Sequence, residues 1–125
     1  MIDHISLAVT DLDRAQRFYD PAMAALGYVR VFATPRAIGY GLPGDPPDKD
    51  RFALLLRPAA PAGDGAHLAF TAPSPAAVDA FHSAAIGHGG SDNGGPGPRP
   101  QYGPGYYAAF VRDPDGNNLE AVHHG

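Results

Sequence analysis

A chain of 125 residues in which 44% are hydrophobic is long enough to bury the core of one domain, which excludes an intrinsically disordered protein. The net charge of −4 and the scattered positions of the nine Lys and Arg residues exclude a basic stripe, so we expect neither nucleic acid nor a membrane as partner. The chain has no cysteine, no signal-like N-terminal segment and no apolar run of membrane-spanning length, and we therefore expect a soluble, cytoplasmic protein.

The first half of the chain predicts one strand, one helix and three further strands. Residues 2–9 alternate between apolar and small or polar side chains, which is typical of a strand. Asp11 is a good N-cap for a helix with an apolar stripe that ends at Gly27, and Pro21 is expected to kink or shorten this helix. The further strands are expected at residues 28–33, 37–40 and 51–57.

The second half predicts the same order of elements. A strand at residues 66–71 precedes a helix that Ser74 caps, with Pro75 at the favoured first helical position and Gly87 or Gly89 at the end. A weak strand is expected within residues 89–96, followed by strands at 105–112 and 117–123 that a turn at 113–116 connects.

An internal repeat relates the two halves. When His4 is placed over His67, an offset of 63 residues, HISLAVTDLDRAQRFY aligns without a gap with HLAFTAPSPAAVDAFH, and the two predicted helix caps coincide. We therefore predict an α+β fold in which one domain, residues 1–125, is built from two βαβββ modules at about 1–63 and 64–125.

Three segments of the sequence resemble the vicinal oxygen chelate superfamily, which includes glyoxalase I, fosfomycin-resistance proteins, bleomycin-binding proteins and extradiol dioxygenases. The resemblance rests on His4 in the first strand, on His67 in HLAF and, most specifically, on FVRDPDGNNLE at 110–120, and it covers nearly the whole chain. It implies that paired βαβββ modules form a curved mixed sheet around a metal-binding cleft. It also implies a homodimer, whose cleft lies within one chain or is shared between two.

The resemblance further implies that His4, His67 and Glu120 bind a single divalent metal ion. The two histidines hold matched places in the repeat, and the apolar neighbours of Glu120 lie on the opposite face of its predicted strand. Two imidazoles and one carboxylate with open positions suit Zn, Ni, Fe, Mn or Co, and the identity of the metal stays open. The remaining histidines are expected to be ordinary surface or terminal residues: His82, His88, His123 and His124.

Departures from each subfamily narrow the expected function. Glyoxalase I has a fourth, acidic ligand in the segment that matches RFALLLRP, but none of residues 53–57 is acidic. Extradiol dioxygenases carry a catalytic tyrosine where this chain has Phe110, and fosfomycin-resistance enzymes place an arginine shortly after the residue that matches Glu120, which this chain lacks. The bleomycin-binding branch generally lacks the metal ligands.

These departures favour a glyoxalase-like, metal-dependent enzyme of the lyase or isomerase type, similar to lactoylglutathione lyase. It is expected to act on a small oxygen-chelating substrate, whose identity stays open, with the metal polarising a carbonyl or chelating vicinal oxygens. Two alternatives stay open: a small-molecule or drug-binding module of the resistance type, and an extradiol-type dioxygenase.

The segment RPQYGPGYY at 99–107 supplies further candidates beside Glu120. Arg99 and Tyr102 are expected to bind substrate, Arg99 as a bidentate partner of a carboxylate. Tyr106 and Tyr107 are the candidate catalytic residues besides Glu120. They point to opposite faces of one strand, and alternation alone does not decide which face is the cleft.

The apolar strand of the first half supplies two more candidates. Phe52 and Leu54 are expected to line the substrate site, in the segment where glyoxalase I has its additional carboxylate. This apolar surface is compatible with an enzyme and with a small-molecule-binding module.

Overall fold

The computed structural model describes residues 1–60 and 66–125, so the predicted module boundary at 63 lies outside the described residues. The described elements follow each other in the order βαβββ, twice, which confirms the predicted α+β fold class. In chain order they are β1 (Ile5–Val9), α1 (Leu12–Ala25), β2 (Val29–Ala33), β3 (Ala37–Gly41), β4 (Phe52–Leu56), β5 (His67–Thr71), α2 (Pro75–Gly87), β6 (Ser91–Pro98), a 3₁₀ turn (Pro100–Tyr102), β7 (Tyr106–Arg112) and β8 (Asn118–His124).

Hydrogen bonding divides the strands into two mixed sheets of the same topology, in the orders β1-β4-β3-β2 and β5-β8-β7-β6. In each sheet the first strand of the module pairs in parallel with the last, and the other pairs are antiparallel. The repeat in the sequence is therefore a repeat of strand order and of pairing. The parallel pair brings the predicted ligand strands β5 and β8 side by side.

Helix α1 begins as predicted but is not shortened by Pro21, because it continues to Ala25. The side chain of Asp11 accepts a hydrogen bond from the backbone N–H of Arg14, at 3.0 Å. Proline removes one hydrogen bond inside the helix, and burial of the residues around it compensates for this loss. Gly27 has φ +90°, which favours glycine and ends the helix region. The fully buried residues of α1 on both sides of the proline are Phe18, Tyr19, Ala22 and Met23.

Two strands differ from the predicted bounds by more than one residue at an end. Strand β1 begins at Ile5 rather than at residue 2, and β6 covers Ser91–Pro98 rather than a segment within 89–96. Strand β6 has the sequence SDNGGPGP, whose glycines and prolines have low strand propensity, so its strand signal is weak.

The core lies between the helices and one face of each sheet. Helix α2 contacts β6, β7 and β8, helix α1 contacts β2, β3 and β4, and the two helices contact each other. Ser74 caps α2 by accepting a hydrogen bond from the N–H of Ala77, at 3.1 Å. Within the described residues, neither helix combines the length and the apolar composition needed to cross a membrane.

The turn between β7 and β8 is bonded to the first module. The hydroxyl of Tyr19 on α1 donates to Asp113 Oδ2 at 2.5 Å, and Thr10 Oγ1 donates to Asp115 Oδ1 at 2.5 Å. Arg14 also donates to Asp115 Oδ1, at 3.0 Å. Burial, followed by the nearby Asp113 carboxylate, raises the pKa of Tyr19 well above its usual value. The segment DPDG therefore links the two modules.

Candidate functional site

The face of the second sheet that points away from α2 carries the predicted ligands of that module. Strand pairing places Glu120 of β8 between Ala69 of β5 and Phe110 of β7, so His67, two residues before Ala69, shares this face. Glu120 is 4% exposed, whereas the side chain of His67 is half exposed. The site is thus a buried carboxylate beside an accessible imidazole.

The carboxylate of Glu120 is held through both of its oxygens. His67 Nε2 lies 2.8 Å from Glu120 Oε1, and the hydroxyl of Tyr106 donates a hydrogen bond to Oε2. This hydrogen bond, followed by burial, raises the pKa of Tyr106 to about 12. Tyr106 is therefore protonated at neutral pH and acts as a donor to Glu120.

The donor atoms of His67 and Glu120 fit a divalent metal. Metal ligands at about 2.0–2.2 Å from a cation lie roughly 3 Å from each other, close to the separation of Nε2 and Oε1. One imidazole nitrogen and one carboxylate oxygen are also the ligand types that first-row metals accept. Two of the three predicted ligands are thus brought together.

His4 is not joined to this pair within one chain. Its Nδ1 lies 2.7 Å from Asp3 Oδ1, and Asp3 also accepts a hydrogen bond from Lys49, which is the main reason that the pKa of Asp3 falls to about 2. A histidine whose Nδ1–H donates to a carboxylate keeps the lone pair on Nε2 for a metal. Among the described residues, which include all three predicted ligands, no group of three or more His, Asp or Glu side chains is placed to hold a metal.

The structure separates the two candidate catalytic tyrosines. Tyr106 lies on the Glu120 face of β7, whereas the hydroxyl of Tyr107 donates to Asp79 Oδ1 on α2 at 2.7 Å. That hydrogen bond raises the pKa of Tyr107. Tyr107 therefore lies on the helix face of the sheet and not at the candidate site, because successive strand residues point to opposite faces.

Phe52 and Leu54 both belong to the hydrophobic core rather than to the face that carries Glu120. Leu54 has no accessible surface, so it contacts no substrate in this structure. Phe52 forms part of the wall of a cavity of about 330 Å³ between β1 and β5, together with Tyr28, Phe70 and Arg51. The sequence could not distinguish these positions, since this strand is apolar on both faces.

Tyr102 and Arg99, the predicted substrate-binding residues of the 99–107 segment, each contact an aromatic ring of β7. The ring of Tyr102 is exposed and its centroid is 5.3 Å from that of Tyr106. The guanidinium of Arg99 donates to the carbonyl oxygens of Gly95 and Gly97 and lies over the ring of Phe110. Two nitrogen atoms of the Arg99 guanidinium are therefore bonded to backbone carbonyl oxygens, and not to a carboxylate as its predicted role requires.

Two residues at the site were not among the predicted site residues. The ring of Phe110 has its centroid 6.1 Å from that of His67, and the ring of His124 meets the ring of Tyr106 edge-on at 5.0 Å. The signal for His124 was available, because residues 120, 122 and 124 alternate onto one face of the last strand. His124 was expected to be an ordinary terminal histidine.

The position that corresponds to Glu120 in the first module is Ala53. Ala69 pairs with Glu120 in the second sheet, and Ser6, which precedes Ala69 by the repeat offset, pairs with Ala53 in the first. The strand register therefore identifies buried Ala53, out of residues 53–57, as the counterpart of Glu120. The first module thus has no carboxylate at this position.

Comparison with known proteins places the chain in a family. The family model of the Glyoxalase/Bleomycin resistance protein/Dioxygenase superfamily matches residues 1–121, and the chain belongs to this superfamily. A search of curated proteins gave no significant match.

Solved structures give the same result. A glyoxalase/bleomycin resistance protein from Albidiferax ferrireducens T118 is 34% identical over 96% of both chains, with a TM-score of 0.83. A glyoxalase-related enzyme from Fulvimarina pelagi, 23% identical over 98% of this chain and 87% of its own, has a TM-score of 0.73. A glyoxalase/bleomycin resistance protein/dioxygenase family enzyme from Burkholderia phytofirmans PsJN, 17% identical over 99% and 98%, also has a TM-score of 0.73, and these last two likenesses concern the fold alone.

Proposed function

We propose that this chain is a glyoxalase-like, metal-dependent enzyme of the lyase or isomerase type that acts on a small substrate with chelating oxygens. The observation that carries the proposal is the convergence of His67 Nε2 and Glu120 Oε1, at 2.8 Å, on the face of the sheet that the helices leave open. A buried carboxylate beside an accessible imidazole is a donor pair suited to Zn, Ni, Fe, Mn or Co.

The proposed third ligand, His4, comes from a second copy of the chain. One chain brings two donors together, and His4 lies apart from them with its Nε2 available, since Asp3 occupies Nδ1. In a twofold dimer the first module of each copy can face the second module of the other, which gives two equivalent sites. The proposed partner is thus a homodimer in which each metal site draws on both subunits.

The bound metal would supply a Lewis acid that polarises a substrate carbonyl. Glu120 is the carboxylate beside His67 that would accept a substrate proton, and its counterpart in the first module is Ala53. Tyr106 holds Oε2 of Glu120 by donating its hydroxyl hydrogen, so that Oε1 stays directed toward His67. The ring of Phe110 lies beside His67, and the ring of Tyr102 lies against that of Tyr106.

Metal content tests the ligand set directly. Protein purified without a polyhistidine tag should contain about one metal per chain, and His67→Ala and Glu120→Gln should each lose it. His82→Ala is the matched control. His82 lies on α2, where its imidazole is bonded to Asp92 of β6, so its loss should leave the metal content unchanged. Equal metal in His67→Ala and the wild type would exclude the proposed site.

Turnover tests the enzymatic function. The protein loaded in turn with Fe(II), Ni(II), Mn(II) and Zn(II) is assayed against the methylglyoxal–glutathione hemithioacetal and a panel of catechols. Activity that disappears in Glu120→Gln supports the proposal. Activity on catechols alone would favour the dioxygenase, although Phe110 lacks the hydroxyl that such enzymes carry at this position.

Mixing complementary variants tests the shared site. His4→Ala and His67→Ala should each bind no metal alone. If the site is shared, a refolded equal mixture should regain about one quarter of the wild-type metal, because half of the dimers are mixed and each of these has one intact site. No recovery in a mixture that light scattering shows to be dimeric would place all three ligands in one chain.

A small-molecule-binding module is the second candidate function. The cavity of about 330 Å³ between β1 and β5, walled by the rings of Phe52, Phe70 and Tyr28 and by Arg51, favours this reading, because pockets that combine aromatic walls with a few polar groups bind small ligands without a metal. Tight binding of a small aromatic compound to metal-stripped protein, with no turnover in the panel above, would favour this function over the enzyme.

A further inference from the structure

The ring of Phe110 lies between the guanidinium of Arg99 and the imidazole of His67 in a series of contacts at the candidate site. The Cζ atom of Arg99 lies 5.4 Å from the centroid of the Phe110 ring, and that ring lies 6.1 Å from the imidazole of His67 with an angle of 30° between the planes. A guanidinium at this distance from an aromatic ring is in the range of a cation–π interaction.

The guanidinium of Arg99 is fixed by backbone carbonyl oxygens of β6, the strand that ends immediately before it. Nη2 donates to the carbonyl oxygen of Gly95 at 2.7 Å, and Nη1 donates to that of Gly97 at 2.9 Å. Arginine can make this arrangement because its planar fork presents several donors at fixed angles, which lysine cannot. The charged group is thus held over the ring by its own chain segment.

The glycines of β6 leave the space that this arrangement needs. Gly94 has φ +143°, and a Cβ atom there would lie 3.0 Å from Phe110 and 3.4 Å from Arg99 Nη2. A Cβ atom at Gly97 would lie 3.3 Å from Arg99 Nη1. The register of β6 against β7 shifts on both sides of Gly94. The low strand propensity of SDNGGPGP is therefore explained by the room that Arg99 and Phe110 occupy.

We infer that Arg99 is a positioning residue that acts through Phe110 to hold the imidazole plane of His67, so that Nε2 stays directed at Glu120. His67 is half exposed, and within residues 1–60 and 66–125 its side-chain hydrogen-bond contact is with Glu120, which fixes a single ring atom. The neighbouring Phe110 ring restricts how the imidazole plane of His67 can turn about its side-chain torsions. The inference rests on the proposed function only in treating His67 as a metal ligand.

Zinc affinity and imidazole order are measured together on untagged protein. The variants are Arg99→Met, Phe110→Leu and the double variant, with Arg36→Met as the control, because Arg36 is an exposed arginine of the first module. Arg99→Met and Phe110→Leu should each weaken Zn(II) binding roughly tenfold, and the double variant should be no weaker than Phe110→Leu alone, since both changes act on the same contact. Arg36→Met should match the wild type.

The second readout needs no metal. In the NMR spectrum of metal-free wild type, ring protons of His67 should show nuclear Overhauser contacts to Phe110 and ring-current shifts, and Arg99→Met should lose most of both. A wild type that binds no Zn(II) but shows these contacts would refute the proposed function and leave the positioning role standing. Unchanged His67 signals and unchanged Zn(II) affinity in Arg99→Met would overturn the inference, as would independent, additive losses in the double variant.

Discussion

Adjacent tyrosines in β7 divide the polar chemistry of the second sheet between its two faces. Tyr106 donates to buried Glu120, and Tyr107 donates to Asp79 on the exposed side of α2. The two hydroxyls belong to the same residue type and are consecutive in the chain, so one serves as the control for the other.

We expect Tyr106→Phe to lower turnover roughly 10²-fold on the substrate found in the panel above, because Glu120 Oε2 loses its donor. Metal content should be unchanged, since the phenol is not a proposed ligand. Tyr107→Phe should keep near-wild-type turnover. The measurement is steady-state kinetics with elemental analysis of both variants, and equal losses in the two would indicate a structural effect instead.

The repeat indicated which candidate residues would lie close together in the second module, but the sequence did not indicate which face of a strand each candidate would occupy. His67 and Glu120 were predicted as partners and are in contact. Alternation showed that Tyr106 and Tyr107 oppose each other, but only packing against α2 determines which one faces Glu120. A matched position in the repeat does not tell how far apart two residues lie in space. The repeat therefore could not show that His4 lies apart from His67 and Glu120 within one chain.

At the scale of elements, two tyrosine hydroxyls tie α1 to its surroundings. Tyr19 donates to Asp113, which follows β7, and Tyr40 of β3 donates to Asp20 of α1 at 2.7 Å. Burial is the first cause of a raised pKa in both tyrosines, and the partner carboxylates add to it.

We expect the free energy of unfolding to fall as the pH rises above about 10, where tyrosines of the unfolded chain ionise. A group whose folded pKa is raised stabilises the fold fully below its unfolded pKa and loses this contribution as the pH rises toward the folded value. Tyr40→Phe should therefore show a flatter pH dependence than the wild type in urea titrations between pH 9 and 11.

Phe32→Leu is the control for this experiment, because it perturbs the same sheet without removing a titrating group. Its free energy of unfolding should be lower at every pH, with the wild-type slope. A Tyr40→Phe slope identical to that of the wild type would contradict the role of Tyr40 in alkaline stability.

The two sheets carry the same pairing of a phenylalanine with a glycine, with the strands exchanged. In the first sheet Phe32 of β2 pairs with Gly39 of β3, and in the second Gly94 of β6 pairs with Phe110 of β7. Because Gly39 and Phe110 pair with Ala53 and Glu120 respectively, the ring lies next to the ligand strand only in the second module.

Gly39→Ala should lower the free energy of unfolding by about 1–3 kcal/mol, since a Cβ atom there would lie 2.2 Å from the Phe32 ring. Adding Phe32→Leu should recover part of this loss by making room. Urea unfolding of the single and double variants is the measurement. An additive loss in the double variant would show that the ring is not the source of the strain.

The elements themselves were largely predictable, because helix caps and alternation are local signals. Asp11 and Ser74 cap their helices as predicted. Pro21 did not end α1, because burial of its neighbours outweighs the tendency of proline to break a helix. Strand β6 extends beyond its predicted range, because its glycines make room for tertiary contacts of Arg99 and Phe110 that no local pattern reveals.

At the scale of the whole molecule, the turn of DPDG connects the modules through Asp115. Its carboxylate accepts hydrogen bonds from the backbone N–H and hydroxyl of Thr10 and from Arg14. Arg14 Nε is buried without a hydrogen-bond partner among the described residues, so the Arg14 side chain depends on the contacts of its other nitrogen atoms.

Asp115→Ala should lower the free energy of unfolding by about 1–3 kcal/mol, because Thr10 and Arg14 lose their shared acceptor. Hydrogen exchange should accelerate in both α1 and β8, since the change acts on the link between modules. Asp79→Ala, which removes an exposed carboxylate of α2, should cost far less. Faster exchange confined to the second module would contradict the role of the turn as a link.

The contrast between Ala53 and Glu120 bears on how each module tolerates substitution. The two modules share one topology, but at equivalent positions the second carries a carboxylate and the first a methyl group. Substitutions around Ala53 alter the shape of a surface without adding or removing a proton-binding group. Substitution at Glu120 therefore alters a buried carboxylate and its two partners, whereas substitution at Ala53 alters packing alone.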